Sequence, residues 1–148
     1  MTDFKFYFPI QVRYGDLDPQ WHVNNAKFLT YIEQARFAYL VELQLWDGKS
    51  FMDLGLIIAD VHVSYKAPIM LGQKVRVGVR VQKIGNKSLT YACQIEDETT
   101  HAVMAMAEIV GVSYNYHTHS PQPVPEDWRQ KISQYEGLSL EQKLSGKC

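Results

Sequence analysis

Between Asn24 and Leu45 the apolar residues recur at helical spacing: Phe28, Tyr31, Ile32, Ala35 and Tyr39 form one stripe, and Leu29, Phe37, Leu40 and Leu43 widen it. A helix of about 20 residues is roughly 30 Å long. One that is apolar over so much of its circumference has to be enclosed by more than one surface. Asn24 or Asn25 suits its N-cap, and Glu33 with Arg36 reads as an i, i+3 charge pair.

The flanking segments supply an enclosure. Phe4, Phe6, Phe8, Ile10, Val12 and Tyr14 alternate with Lys5, Tyr7, Pro9, Gln11 and Arg13, a period of two that marks a strand with one buried face. Pro9 has no N–H to give a neighbour, which puts this strand at a sheet edge or at a bulge. After the turn-like DGKS come four more strand patterns. Val61, Val63 and Tyr65 carry the first, Val75, Val77, Val79 and Val81 the second, and Leu89, Tyr91, Cys93 and Ile95 the third. Gly85-Asn86 sits at the hairpin position between the second and third. Ala102 to Tyr114 is continuously apolar, as a central strand is. The order is strand, long helix, four strands. It predicts an α+β fold in which a curved five-stranded antiparallel sheet wraps one central helix. The first and last strands would leave apolar pairing edges open, so the chain is expected to form at least a dimer.

A chain of 148 residues buries a sufficient core as one domain. The expected core runs from about residue 4 to 115. Residues 116–148 form an extension, with HTHSPQPVPED, a short amphipathic pattern through Trp128, Ile132 and Tyr135, and a frayed tail, EQKLSGKC. A formal net charge of −1 gives no footprint for nucleic acid or for an anionic membrane. MTDFKFYFPI lacks the pattern of a signal peptide, and no apolar run is long enough to cross a bilayer. The cysteines are Cys93, inside a strand pattern, and Cys148, the last residue. They read as one buried thiol and one free thiol in a reducing compartment, and a cytoplasmic location is expected.

The stretch YGDLDPQWHVNN places two carboxylates, a histidine and two asparagines just ahead of the helix. On composition alone Asp18 is a turn aspartate before Pro19, and Asn24 and Asn25 are caps. The longer run YGDLDPQWHVNNAKFLTYIEQAR is similar to the signature of hotdog-fold acyl-coenzyme A thioesterases, in particular the 4-hydroxybenzoyl-coenzyme A thioesterase-like group. The resemblance lies in Gly15-Asp16-Leu17-Asp18-Pro19, His22-Val23-Asn24-Asn25 and Tyr31-x-Glu33-x-Ala35-Arg36. Tyr65-Lys66-Ala67-Pro68 with Gly72 resembles the family's second strand and turn.

What the resemblance implies is hydrolysis of an acyl thioester, carried by coenzyme A or by acyl carrier protein. Asp18 would be the catalytic carboxylate, as nucleophile or as general base, and the backbone N–H of Asn25 the oxyanion donor. A carboxylate is ionised at neutral pH and a helix N-terminus offers unpaired N–H groups, so the residue types suit the chemistry. His22 has two readings, an active-site group that orients water or the thiolate, and a cap or packing partner of Trp21. Asp16 is expected to shape the turn. Asn24 is a cap that could also line the acyl pocket, and Lys66 and Arg76 are candidates for contact with coenzyme A phosphates. Similar acyl-carrier-protein thioesterases have Asn where this chain has Gln20, and a glutamate aligned with Ser64. No cofactor is expected and no metal, since His117 and His119 alone make a weak site. The resemblance also implies a homodimer assembled further, as a tetramer by expectation, with a hexamer left open. Two alternatives remain open: a hydratase or dehydratase, and a non-catalytic acyl-thioester binder. Dehydratases of the fold carry a run like GDxNPLH, where this chain has Asp18 for Asn and its histidine one residue later.

Overall fold

The computed structural model describes residues 4–139; the expected frayed tail, EQKLSGKC with Cys148, lies outside them. The first strand, β1 (Phe6–Gln11), is followed by a single 3-10 turn at Tyr14–Asp16 and by the long helix α1 (Asn25–Glu42). Four strands come next: β2 (Leu56–Tyr65), β3 (Lys74–Ile84), β4 (Ser88–Asp97) and β5 (Val103–Asn115). A two-residue strand, β6 (Ser120–Pro121), and a second helix, α2 (Glu126–Glu136), complete the chain. The sheet is antiparallel with spatial order β1-β3-β4-β5-β2, and β6 extends the end of β5. It curls around α1 in the expected hotdog architecture.

Local chemistry explains the element ends. The Ala26 N–H donates to Asn24 Oδ1 at 2.9 Å, so Asn24 is the N-cap of α1. The helix closes at Leu43, short of the expected Leu45, because Gln44 turns to φ +60°. Pro9 stands opposite Arg76 on the edge strand β1, where its missing N–H costs nothing. The Gly85 N–H donates to the Ser88 carbonyl at 2.7 Å and closes the β3–β4 hairpin. Tyr14, assigned by alternation to the first strand, instead begins the 3-10 turn and is exposed.

Three expectations need correction. The main sheet has its five expected strands, but a two-residue β6 and a second helix are added, because the amphipathic pattern at Trp128 and Ile132 is a full helix whose apolar side enters the core. α2 is held by Arg129, whose Nη2 donates to the carbonyls of Gly85 and Asn86 at 2.6 and 2.8 Å, and by Tyr39, whose hydroxyl donates to Glu136 at 2.6 Å. The extension therefore belongs to the core. Secondly, the free edges of the main sheet are β1 and β2, since β5 runs between β4 and β2. Thirdly, Glu33 and Arg36 do not pair. Arg36 is drawn beneath the helix to within 5.8 Å of the Tyr91 ring centre, while Glu33 stays in solvent.

α1 packs on β1, β3 and β4. Phe28, Ile32, Ala35 and Tyr39 meet Val75, Val77, Tyr91 and Ile95 in the core. Beyond its first turn the helix does not cover β2. Val61 is opposite the buried Ile109 and shares its face, yet Val61 is 42% exposed. Ile58 and Tyr65 are exposed as well.

Candidate active site

The loop between β1 and α1 is built on two aspartates with different tasks. Asp16 Oδ2 accepts from the Arg13 N–H at 3.0 Å and from the Tyr31 hydroxyl at 2.7 Å. Burial and the bonded Asp16 carboxylate push the Tyr31 phenol well above its usual range. Asp16 is thus fastened on both sides and shapes the turn, as its sequence context suggests. Asp18 opens a tight reversal over Pro19, Gln20 and Trp21. The Asp18 N–H donates to the His22 carbonyl, and the Trp21 N–H to the Asp18 carbonyl, both at 2.9 Å. Asp18 Oδ1 accepts the Gln20 N–H at 2.9 Å, and its other oxygen makes no hydrogen bond to the described residues. Trp21 completes the reversal at φ +66°, a left-handed conformation that side chains of its size rarely adopt.

Asp18, His22, Asn25, Phe28, Tyr65 and Lys66 line one cleft of about 320 Å³. Its floor is the first turn of α1. Of the N–H groups there, that of Ala26 goes to the Asn24 side chain and that of Lys27 to the Asn24 carbonyl at 2.8 Å. The Asn25 N–H has no acceptor among the described residues, so the cleft holds an unspent donor at the positive end of a helix. Tyr65 ties this turn to β2: its hydroxyl donates to the Asn25 carbonyl at 3.1 Å, and its ring meets Phe28 edge-on, with centroids 5.1 Å apart.

The remaining candidates divide. The imidazole of His22 lines the cleft without a hydrogen-bond partner in the described residues. Lys66 is there too, and its ammonium has no ion-pair partner among them. Asn24 spends its side-chain oxygen on the cap and is not in the cleft wall. Arg76 lies elsewhere on the sheet. Its Nε and Nη2 donate to Glu96 Oε2 at 2.9 and 2.7 Å, and its guanidinium lies 3.8 Å from the Tyr7 ring centre. Burial alone would raise the Glu96 carboxyl; bonds from Arg76, His101 and Gln94 outweigh it and hold the group below its usual range. Ser64 borders a different hollow, with His62, Gln82 and Glu108. His117 bonds Asp53 at 3.2 Å, and no three His, Cys, Asp or Glu side chains converge among the described residues. Cys93 is a buried thiol, pushed up to about 12 by that burial. Tyr65 had no role assigned from sequence. The signal was the alternation of Val61, Val63 and Tyr65, which turns the tyrosine toward the helix.

Such a cleft suits attack on a carbonyl carbon, because it holds a carboxylate together with an N–H donor for the oxygen. Residues 12–132 match the model of the thioesterase-like superfamily. The chain belongs to that superfamily. The long-chain acyl-CoA thioesterase FadM of Escherichia coli (strain K12) is 26% identical over 125 residues, covering 84% of this thioesterase-like chain and 95% of FadM. A thioesterase from Thermus thermophilus, solved with coenzyme A and Zn, superposes with a TM-score of 0.81 at 35% identity, covering 93% of this chain and 98% of that one. A 1,4-dihydroxy-2-naphthoyl-CoA thioesterase from Synechocystis shares the fold, with a TM-score of 0.78 at 19% identity, covering 88% of this chain and 97% of that one.

Proposed function

We propose that the protein hydrolyses an acyl-coenzyme A thioester to the free acid and coenzyme A, with Asp18 as the catalytic carboxylate. The observation that carries the reading is the shared cleft of the unbonded Asp18 oxygen and the unspent Asn25 N–H. As general base, Asp18 takes a proton from water while the water oxygen bonds the thioester carbon. The carbonyl oxygen becomes an oxyanion held by the Asn25 N–H, and collapse breaks the C–S bond and releases the thiolate, which accepts the proton. As nucleophile, the Asp18 carboxylate instead bonds the thioester carbon and expels the thiolate, and water then opens the resulting anhydride to the free acid and the Asp18 carboxylate. The leaving thiolate, like a simple thiol with a pKa of about 8.5, needs no strong acid. In this reading His22, which lines the same cleft, meets the thiolate, and the ammonium of Lys66 suits a substrate phosphate.

We further read the working unit as a homodimer formed at β2. Its outer edge has no strand partner, and Ile58, Val61 and Tyr65 stand uncovered beside it. Pairs of dimers would give the tetramer. The buried, unpaired Cys93 accords with a reducing, cytoplasmic setting.

Thiol release from acyl-coenzyme A and acyl-carrier-protein substrates, compared for the wild type and a folded Asp18→Asn variant, tests the mechanism. The variant should lose at least about 100-fold in kcat with little change in KM. Survival of turnover in the variant refutes the role of Asp18. Absence of turnover by the wild type on both carriers refutes the thioesterase reading.

A further inference from the structure

Glu33 and Arg36 stand at a spacing that favours a pair within one helix, yet both charges are left over. Arg36 is only 6% exposed; its Nε is sealed from solvent without an acceptor, and no hydrogen bond or ion pair engages the rest of the guanidinium among the described residues. What surrounds it is aromatic, with the rings of Tyr91 and Phe37 centred 5.8 and 5.9 Å away. A cation so deeply placed calls for an oxygen acceptor, and the described residues do not supply one. Glu33, one turn back, is exposed and bonded to nothing in the described residues.

The flank on which they lie is the informative feature. Tyr31 and Gln34, on the opposite flank of α1, border β1 in a common hollow with Phe8 and Ile10. Three residues advance a helix by about 300°, so Glu33 and Arg36 lie roughly 60° apart. Their flank faces away from β1, and Arg36 reaches Tyr91 on β4, so the two charges lie on the side of α1 that looks toward β5 and β2. That side of the sheet ends in the unpaired edge of β2, with Ile58 and Val61 uncovered. Antiparallel pairing of β2 with a second copy about a two-fold axis brings a second α1 over this region, running in the opposite sense. In such an isologous contact each matched pair occurs twice. The register that sets Glu33 against the partner's Arg36 has its centre close to the middle of α1.

We propose that Glu33 of each copy of this chain pairs with the partner's Arg36, closing two equivalent ion pairs across the two-fold axis; this rests on the homodimer reading given above. The occupant beside β2 is a second copy, because the flank of α1 above it carries one unspent charge of each sign, and a second copy presents the matching charge to each in the same contact. The pair supplies an acceptor to the Nη groups of Arg36, which unlike its Nε are not sealed from solvent, and fixes the register of the two helices, hence the position of each cleft relative to the other.

Sedimentation equilibrium on the full-length protein tests it with four proteins: wild type, Glu33→Gln, Glu33→Lys, and the swap Glu33→Arg with Arg36→Glu. Glu33 is a surface position, so the two single variants should fold, which circular dichroism checks. Glu33→Lys sets like charges together twice and should raise the dimer dissociation constant on the order of 100-fold, with Glu33→Gln intermediate. The swap, where it folds, should recover most of that loss. A wild-type dimer that Glu33→Lys leaves unchanged overturns the pair and spares the homodimer reading. A wild type that stays monomeric overturns both.

Discussion

Replacing Tyr65 by Phe removes one hydroxyl from the wall of the cleft and leaves the ring that meets Phe28. The lost bond is the 3.1 Å link from the phenol to the Asn25 carbonyl, which fastens the first turn of α1 to β2. Such a bond contributes about 1 kcal/mol in a folded protein. Tyr65 touches none of the reacting atoms in the proposed mechanism; it positions the residue whose N–H would hold the oxyanion. The loss should therefore fall on the transition state, and about 1 kcal/mol there corresponds to a roughly fivefold drop in kcat. KM should stay near the wild-type value, because the ground-state contacts of the substrate are unchanged. The same loss in global stability would shift Tm by about 2 to 4 °C, so at 25 °C the variant remains folded and kcat reports the site itself. Steady-state thiol release on one acyl-coenzyme A, with amide hydrogen exchange at residues 25–28 in parallel, measures both ends of the argument. Faster exchange with a fivefold lower kcat supports the positioning role. Unchanged kcat, or an effect confined to KM, refutes it.

Two further outcomes follow from contacts outside the cleft. Arg129→Met removes two short bonds from a buried guanidinium to the Gly85 and Asn86 carbonyls. Bonds to charged groups contribute about 1.5 to 3 kcal/mol each, and part of that is returned because the guanidinium no longer has to be desolvated. A net loss of about 3 kcal/mol should lower Tm by roughly 6 to 12 °C in a calorimetric scan, and a shift under about 2 °C would remove α2 from the cooperative core. Asp97 is held down to about 2 by the Thr100 N–H, the Gln73 amide and the Thr99 N–H that its carboxylate accepts. A carboxyl depressed in the folded state stabilises above its unfolded pKa, and that contribution fades as pH falls through the folded value. Urea unfolding should find the wild type more stable than Asp97→Asn at pH 6, with the gap closing between about pH 4 and pH 2. A gap that persists unchanged at pH 2 would refute the assignment.

Much of this fold is local information. Periods of two and of 3.6 announce which face of each element is apolar, and Asn24, Pro9 and Gly85-Asn86 mark a cap, an edge and a hairpin through constraints that act within a few residues. Asp18, His22 and Asn25 were legible as candidates because they share one short loop, whose resemblance to a family supplied the chemistry. What the tertiary structure decided is whatever depends on a partner distant in sequence. A strand pattern does not name its neighbour, so the pairing of β2 with β5, and with it the bare edge, came from the folded sheet. The role of Tyr65 required that residue 65 meet residue 25, and the fate of Glu33 and Arg36 required knowing that the guanidinium finds aromatic rings beneath the helix sooner than a carboxylate beside it. Periodicity states that a face is buried; the closing of long loops determines what lies against it, and that is where the cleft and the unspent charges of α1 arise.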